Sequence, residues 1–446
     1  MEEKCVGQCL ELSGFQVSPT LATGKLDNRG PGNASNQITL ARFPLKPTLN
    51  CMKLPHLERR PELDALRGLF LVWMTLTHLP TRFSDFVNQP IGFVSAAEGF
   101  VFISALLVGR IYMRDSLQDG SGVRVKLWKR SLKIYAYHLL MLTLLFTVAA
   151  AFAMHTHKAA LNHLLNFYLI HPFVAIIGSV LLLYCPPLLD ILPMYVTFLF
   201  FSPLLLSMAA RNGWRRILFA SALVWLLAQF GLRDVVHNWI VHLTHLPIPL
   251  QETGAFNLFA WQGVWVIGLW IGARSALGET PLNKIPAWAV AASGAACLFF
   301  IGIRHGWLGP YLTQPALGIQ LDKWQLGPLR VINLITFTVV VYWMRPILLR
   351  FVAIEPFLTL GKASLRVFCA HLFFVFVGLA LLYQSVGEDG DGQIEQLHGF
   401  TAIALLVVTF TALILVALNE VRKRRASRAG RQPEQSEAKP PVPALQ

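Results

Sequence analysis

The chain has 446 residues, is 54% hydrophobic and 14% charged, and carries a formal net charge of +14. That balance excludes an ordinary soluble domain and points to a polytopic membrane protein. A nucleic-acid partner is not expected, because such a role needs basic residues interleaved with accessible aromatics on one surface, and here they fall between apolar runs.

Residues 1–55 are rich in Gly, Asn, Ser, Thr and Pro, as in ATGKLDNRGPGNASNQ, and lack a basic start followed by an apolar core. They read as a disordered extension without a cleavable signal peptide. Met52 opens MKLPHLERRPELDALRG, which has the look of an alternative start. Crossing a hydrocarbon core of ~30 Å takes about 17 to 25 residues. Segments of that kind fall at roughly 64–81, 91–112, 132–153, 190–209, 215–231, 257–274, 286–303, 329–348, 362–384 and 399–419. The expected fold is therefore all-α, a polytopic helical bundle of about ten transmembrane helices. An eleventh apolar run, 164–184, is interrupted by Pro172 and followed by Pro186 and Pro187.

Loop charge decides how that run is read. Basic residues cluster at Arg59/Arg60, from Arg114 to Lys133, at Arg211/Arg215/Arg216, at Arg274/Lys284, at Arg345/Arg350 and in VRKRRASRAGR. Ten spans put every cluster on the cytoplasmic side, whereas a further full crossing would invert everything after it. Residues 164–184 are thus expected to be re-entrant or interfacial, with both termini cytoplasmic. Residues 421–446 read as a disordered basic tail. The cysteines at 5, 9, 51, 185, 297 and 369 form no CxxC pair. The histidines at 155, 157, 163, 171, 237, 242 and 245 lack accompanying carboxylates or cysteines, so no metal is expected.

The first span, DALRGLFLVWMTLTHLP, poses the chemical question. Arg67 and His78 are eleven residues apart, about 16 Å and three helical turns, which leaves them on nearly the same face. Ionisable groups at membrane depth are costly and usually face a bundle interior or a wet cavity. The bland alternatives are a snorkelling Arg67 and a satisfied interior His78. Glu98, in the second span, lies close to the depth of His78, where a carboxylate could orient the ring for general-base catalysis; its alternative is an ion pair with an arginine. In LGKASLRVFCAHLFF, Arg366 lies near the start of its span and His371 near mid-depth. Arg110, Arg114, Arg124, Lys126, Lys129 and Arg130 sit between the second and third spans, either as topological charge or as a phosphate-binding apron. Asp190, Tyr195, Asn257, Trp261 and Gln262, together with Asp322, Lys323 and Arg330, read as span-end anchors or as lining for a carbohydrate entrance.

In chain order, RRPELDALRGLFLVWMTLTH, AAEGFVFISALLVGRIY, DILPMYVTFLFFSPLLL, FNLFAWQGVWVIG, DKWQLGPLRVINL and LGKASLRVFCAH resemble the OpgC family. These membrane proteins succinylate osmoregulated periplasmic glucans and belong to the wider acyltransferase-3 superfamily. The resemblance covers roughly residues 58–420 and implies a transmembrane acyltransferase domain over 56–420 in a bacterial inner membrane. It implies His78 as the catalytic group, with Arg67 on the same helix, and a donor acyl-CoA, expected to be succinyl-CoA, on the inner side; Glu98 is expected beside them from its depth. Arg110, Arg114, Arg124, Lys126, Arg366 and His371 are the expected substrate-binding residues. The expected partners are the lipid bilayer, acyl-CoA, a periplasmic glucan acceptor and glucan-synthesis proteins, with no permanently bound cofactor. Ala105 departs from the pattern, since relatives often have glycine there. The competing functional readings are a transporter using the same buried charges as a solute or proton path, and a non-catalytic scaffold.

Overall fold

The computed structural model describes residues 60–118, 120–279, 285–386 and 392–429. The expected N-terminal extension, the Met52 start and Lys284 lie outside them. The described chain is an all-α polytopic membrane fold with one short antiparallel hairpin, β1 (Tyr383–Val386) and β2 (Gly392–Glu395), Tyr383 opposite Glu395. Among the described residues, seven helices are long and apolar enough to cross a membrane, and three further pairs of helices reach that length only together, across a sharp bend.

Helix α1 (Pro61–His78) is as long as a span but carries Glu62, Asp64 and Arg67. Pro61 fixes its first turn, where no backbone N–H needs a partner, and the two acids complement the positive helix end. It stops at His78 because Pro80 follows. A short helix α2 (Arg82–Val87) leads to α3 (Ala96–Gln118), which returns through the bundle. Next comes α4 (Gly120–Leu144), continued through one π turn into α5 (Ala150–Thr156), so the helix that contains the expected third span starts well before residue 132. The segment expected to be re-entrant is α6 (Ala159–Ile170) and α7 (Pro172–Val180), bent by 92° at the His171–Pro172 junction. Proline has no N–H to continue the ladder and clashes with the preceding turn, so the break falls there.

Helix α8 (Ile191–Asn212) is followed by α9 (Arg215–Gln229) and α10 (Leu232–Thr244), bent by 81° at a glycine. Helix α11 (Leu258–Ala276) starts at Asn257, whose side chain accepts the N–H groups of Phe259 and Ala260. Helix α12 (Ala287–Arg304) and the single turn α13 (Gln314–Leu317) precede α14 (Pro328–Trp343) and α15 (Arg345–Val352), again bent by 81°. The short α16 (Phe357–Lys362), α17 (Ser364–Leu381) and α18 (Gly399–Ala429) complete the bundle. Residues 421–429, expected to belong to a disordered tail, are helical, and the rest of that expected tail lies outside the described residues. Glu420 and Arg424, one turn apart, pair with each other and anchor the last helical turns.

Close backbone approach sets the positions that matter. A side chain on Gly361 of α16 would collide with the backbone of Asp64 in α1, and one on Gly378 of α17 would meet the Pro80 ring. These two helices thus clamp α1 at both ends. Leu397 N–H donates to Pro80 O at 2.9 Å, fixing the His78 end further. Helices α3 and α11 pack equally tightly, Gly272 against the backbone of Leu106 and Gly109 against that of Leu269, the small-residue contact common between membrane helices. Ala105 faces Gly268, so its methyl group is accommodated by a glycine across the contact.

Candidate active site

Two cavities approach each other along α1. The first, about 390 Å³, opens among α1, α4, α8, α17 and α18 and is lined by Arg67, Arg130, Lys133, Lys362, Arg366 and Arg424, with Glu420 as its one carboxylate. Arg67 Nη2 donates to Ser364 Oγ at 2.6 Å. Arg366 donates from Nε to Tyr137 OH at 3.2 Å and pairs through Nη1 with Glu420 at 2.5 Å. Arg424 shares Glu420 at 2.6 Å and donates to Lys362 O at 2.9 Å. Six cations against one anion leave a strongly positive space, suited to an anionic group such as phosphate.

The second cavity, about 400 Å³, lies at the other end of α1 and holds His78, Trp73, Thr77, Asp190, Lys323 and Trp324. His78 Nδ1 is 3.3 Å from Nε2 of His371, which is completely buried, and the two rings stack at 5.6 Å. If His78 donates from Nδ1 to His371, its Nε2 keeps a free lone pair, the state a general base requires. Between the cavities lies an aromatic partition. Arg67 sits over Phe100 (5.7 Å), Phe100 stacks on Phe368 (6.3 Å), and Phe368 meets His371 edge-on (4.8 Å). Phe100 and Phe368 are both buried and line the first cavity, whereas His78 lines the second.

Asp190 stands just before α8, outside the span, and accepts Ala255 N–H at 3.0 Å. Burial pushes its carboxyl up to about 6, against the stabilising Ala255 bond and the nearby Lys323. Burial lowers the Lys323 ammonium, and Glu98 and Asp190 oppose that shift.

A family model described as OpgC protein matches residues 59–424. The chain belongs to the OpgC family. No curated protein and no solved structure matches it. Membership of the OpgC family, together with the apolar helices, supports a membrane acyltransferase-like role in glucan modification.

In this OpgC-family chain the residues singled out from sequence part company. Arg67 and Arg366 line the first cavity and His78 the second, with His371 packed against His78. Glu98 does not meet His78. Its Oε1 takes Arg330 Nε at 2.7 Å and Nη2 at 2.6 Å, and its Oε2 accepts the N–H and hydroxyl of Ser95, with both charged residues 1% exposed. The ring's neighbour is His371 instead. Of the expected apron, Arg130 lines the first cavity and the other described residues do not. Arg110 donates to Ser275 Oγ at 2.7 Å and Arg114 to Ala276 O at 2.5 Å, both at the C-terminus of α11, where cations satisfy the negative helix end. Arg124 lies over Trp128 of its own helix, and Lys126 forms an exposed pair with Asp115 at 2.9 Å.

The first cavity draws its basic wall from one face of α4 further along, Arg130, Lys133 and Tyr137, a spacing of three and then four residues that sequence alone could have shown. Ser364 and Glu420 were not among the expected site residues, and Arg424 was expected only as part of a basic tail. Tyr195 and Asp190, read as span-end residues, line the first and second cavities respectively. Asn257 and Gln262 act as anchors: Asn257 donates to Gln325 Oε1 at 2.7 Å, and Gln262 bonds Ser221. Among the described residues no three His, Cys, Asp or Glu side chains gather as metal ligands.

Proposed function

We propose that the protein is an integral membrane O-acyltransferase that carries a succinyl group from coenzyme A to a hydroxyl of a periplasmic glucan. The carrying observation is the paired imidazoles of His78 and His371 at the head of one cavity, with a cation-lined cavity at the other end of the same helix. The donor's phosphates would lie among Arg67, Arg130, Lys133, Lys362, Arg366 and Arg424, and its thioester would reach past Phe100 and Phe368. The glucan would enter the second cavity, where Trp73 and Trp324 offer faces for sugar rings. His78 Nε2 takes the proton of the acceptor hydroxyl as its oxygen attacks the thioester carbonyl. The new C–O ester bond forms, the C–S bond breaks, and the proton passes to the departing thiolate to give free coenzyme A. His371 accepts from His78 Nδ1 and stabilises the imidazolium formed on the way.

The orientation that goes with this reading puts the first cavity and both termini on the cytoplasmic side of the inner membrane. Basic loops and the basic end of α18 favour that side. The test is mass spectrometry of periplasmic glucan from cells carrying wild-type protein or His78→Ala. A positioned general base contributes about 10²- to 10⁴-fold, so glucan in the variant should be essentially unmodified while the protein still inserts. Normally acylated glucan in that variant refutes the mechanism, and a translocated but chemically unchanged solute would support transport instead.

A further inference from the structure

Resting on that acyltransferase reading, the second cavity also contains a group that bears on which acyl chain is taken. Among the described residues, Lys323 is the one Lys or Arg lining the space that holds His78. Its ammonium lies 4.7 Å from the Trp324 ring centroid, and among the described residues no carboxylate comes within ion-pair distance of it. The other cations nearby are committed. Arg330 is held by Glu98, and Arg366 stands in the first cavity, bonded to Glu420 and Tyr137.

The loop that carries Lys323 is itself fixed. Its carbonyl accepts Trp261 Nε1 at 3.2 Å, Asp322 accepts Gln325 N–H at 2.6 Å, and Gln325 is held by Asn257. A cation presented from a rigid loop into a reaction cavity is preorganised for an anion.

We propose that Lys323 is the specificity residue of this site, binding the free carboxylate of a dicarboxylic acyl group while His78 acts at the other end of that group. In a four-carbon diacid the two carboxyl carbons are three C–C bonds apart, about 4 Å when extended, so both ends fit one cavity of this size. Asp190 faces the same space and, ionised at neutral pH, repels an acid-ended chain from its own side and leaves Lys323 as its partner. An acyl chain of equal length ending in a methyl group would leave the ammonium without an anion in contact, and a site built around a charged contact discriminates against a ligand that lacks it.

The experiment uses full-length protein in lipid nanodiscs, glucan from cells lacking the gene as acceptor, and succinyl-CoA or butyryl-CoA as donor, two chains of four carbons that differ in the terminal carboxylate. Free thiol and glucan mass give kcat/KM for each donor. Wild type is expected to favour succinyl-CoA, and Lys323→Met to reduce that preference by roughly ten- to a hundredfold, the range for one hydrogen bond to a charged group. Lys323→Arg, which keeps the charge, is expected to keep most of the preference. A preference unchanged in Lys323→Met overturns the proposal, including when both donors slow equally, because that would mark a merely structural lysine. Should Lys323→Met not fold, wild type decides alone: equal use of the two donors refutes the carboxylate contact. Wild type that transfers neither group refutes the acyltransferase reading itself, a different result from a protein that transfers both without preference.

Discussion

Replacing His371 by leucine tests the paired imidazoles directly. In the wild type His78 Nδ1 and His371 Nε2 are 3.3 Å apart, and His371 is wholly buried. Leucine fills much of the same volume, so little room opens for a water to take over the lost contact. The hydrogen bond gains most of its worth when His78 becomes charged in the transition state, and a bond to a charged group contributes about 1.5 to 3 kcal/mol. Converted through the transition-state relation, that is a loss in kcat of roughly ten- to a hundredfold. KM should change little, since His371 lines neither cavity. His371→Gln keeps an acceptor near the same position and should recover part of the rate. The assay is thiol release from acyl-CoA with glucan as acceptor, on protein whose monodispersity matches wild type. A fully active His371→Leu would show that the pair only packs. Equal losses in the leucine and glutamine variants would show that ring shape, not the hydrogen bond, is what His78 needs.

Glu98→Ala leaves Arg330 charged and buried without its partner and should cost about 3 to 5 kcal/mol, seen as a lower thermal midpoint in detergent. The double variant Glu98→Ala/Arg330→Met should be less damaged than the single one. Asp190→Asn tests the perturbed carboxyl. A folded-state value of about 6 against an ordinary 3.8 means that the fold prefers the protonated acid, so that preference is fully present below about 4 and is lost as pH rises through 6. The asparagine variant, which can still accept Ala255 N–H, should gain up to about 3 kcal/mol over wild type at pH 8 and nothing at pH 4. Gly272→Leu puts a side chain against the backbone of Leu106 and should cost at least about 1 to 3 kcal/mol by forcing α3 from α11. Thermal unfolding across a pH series measures the Asp190 effect, and unfolding at neutral pH the Gly272 one.

The fold was legible because its signals are local. Apolar length gives seven of the expected crossings, and Pro172 gives the break in the 164–184 segment. The bends after Gln229 and Trp343 were not legible, since hydropathy is blind to direction. At the site, Arg67 and His78 could be read because both lie on one helix, whose pitch fixes their separation. His371 could be placed at a compatible depth, but its contact with His78 depends on Gly378 letting Pro80 approach α17, a tertiary fact. Glu98 shows the opposite outcome. Its depth agreed with that of His78, yet Arg330, more than two hundred residues away, claims it with both charges buried. Depth along a helix says nothing of rotation about it, and one sequence contains no signal for which of two distant partners a carboxylate meets. The apron residues divide for a related reason: Arg130 lines the first cavity, whereas Arg110 and Arg114 meet the end of α11, because a basic loop also serves topology and helix ends.

One helix serves both cavities, and this constrains how an acyl group could cross. Arg67 and His78 are held about 16 Å apart by the pitch of α1, and that gap cannot shorten without breaking the helix. Reacting atoms must nevertheless approach to about 3 to 3.5 Å. In the proposed acyltransferase reading the reach must therefore come from the donor, whose flexible arm would span the distance only if the aromatic partition yields. Phe368 is the ring best placed to yield, because it contacts Phe100 on one side and His371 on the other, and stands one turn before His371 on α17. A movement that admits the thioester past Phe368 necessarily disturbs the packing of the imidazole that supports His78. On this reading, arrival of the donor and adjustment of the base are one event, and the partition keeps water and unacylated acceptor away from the donor cavity until it occurs.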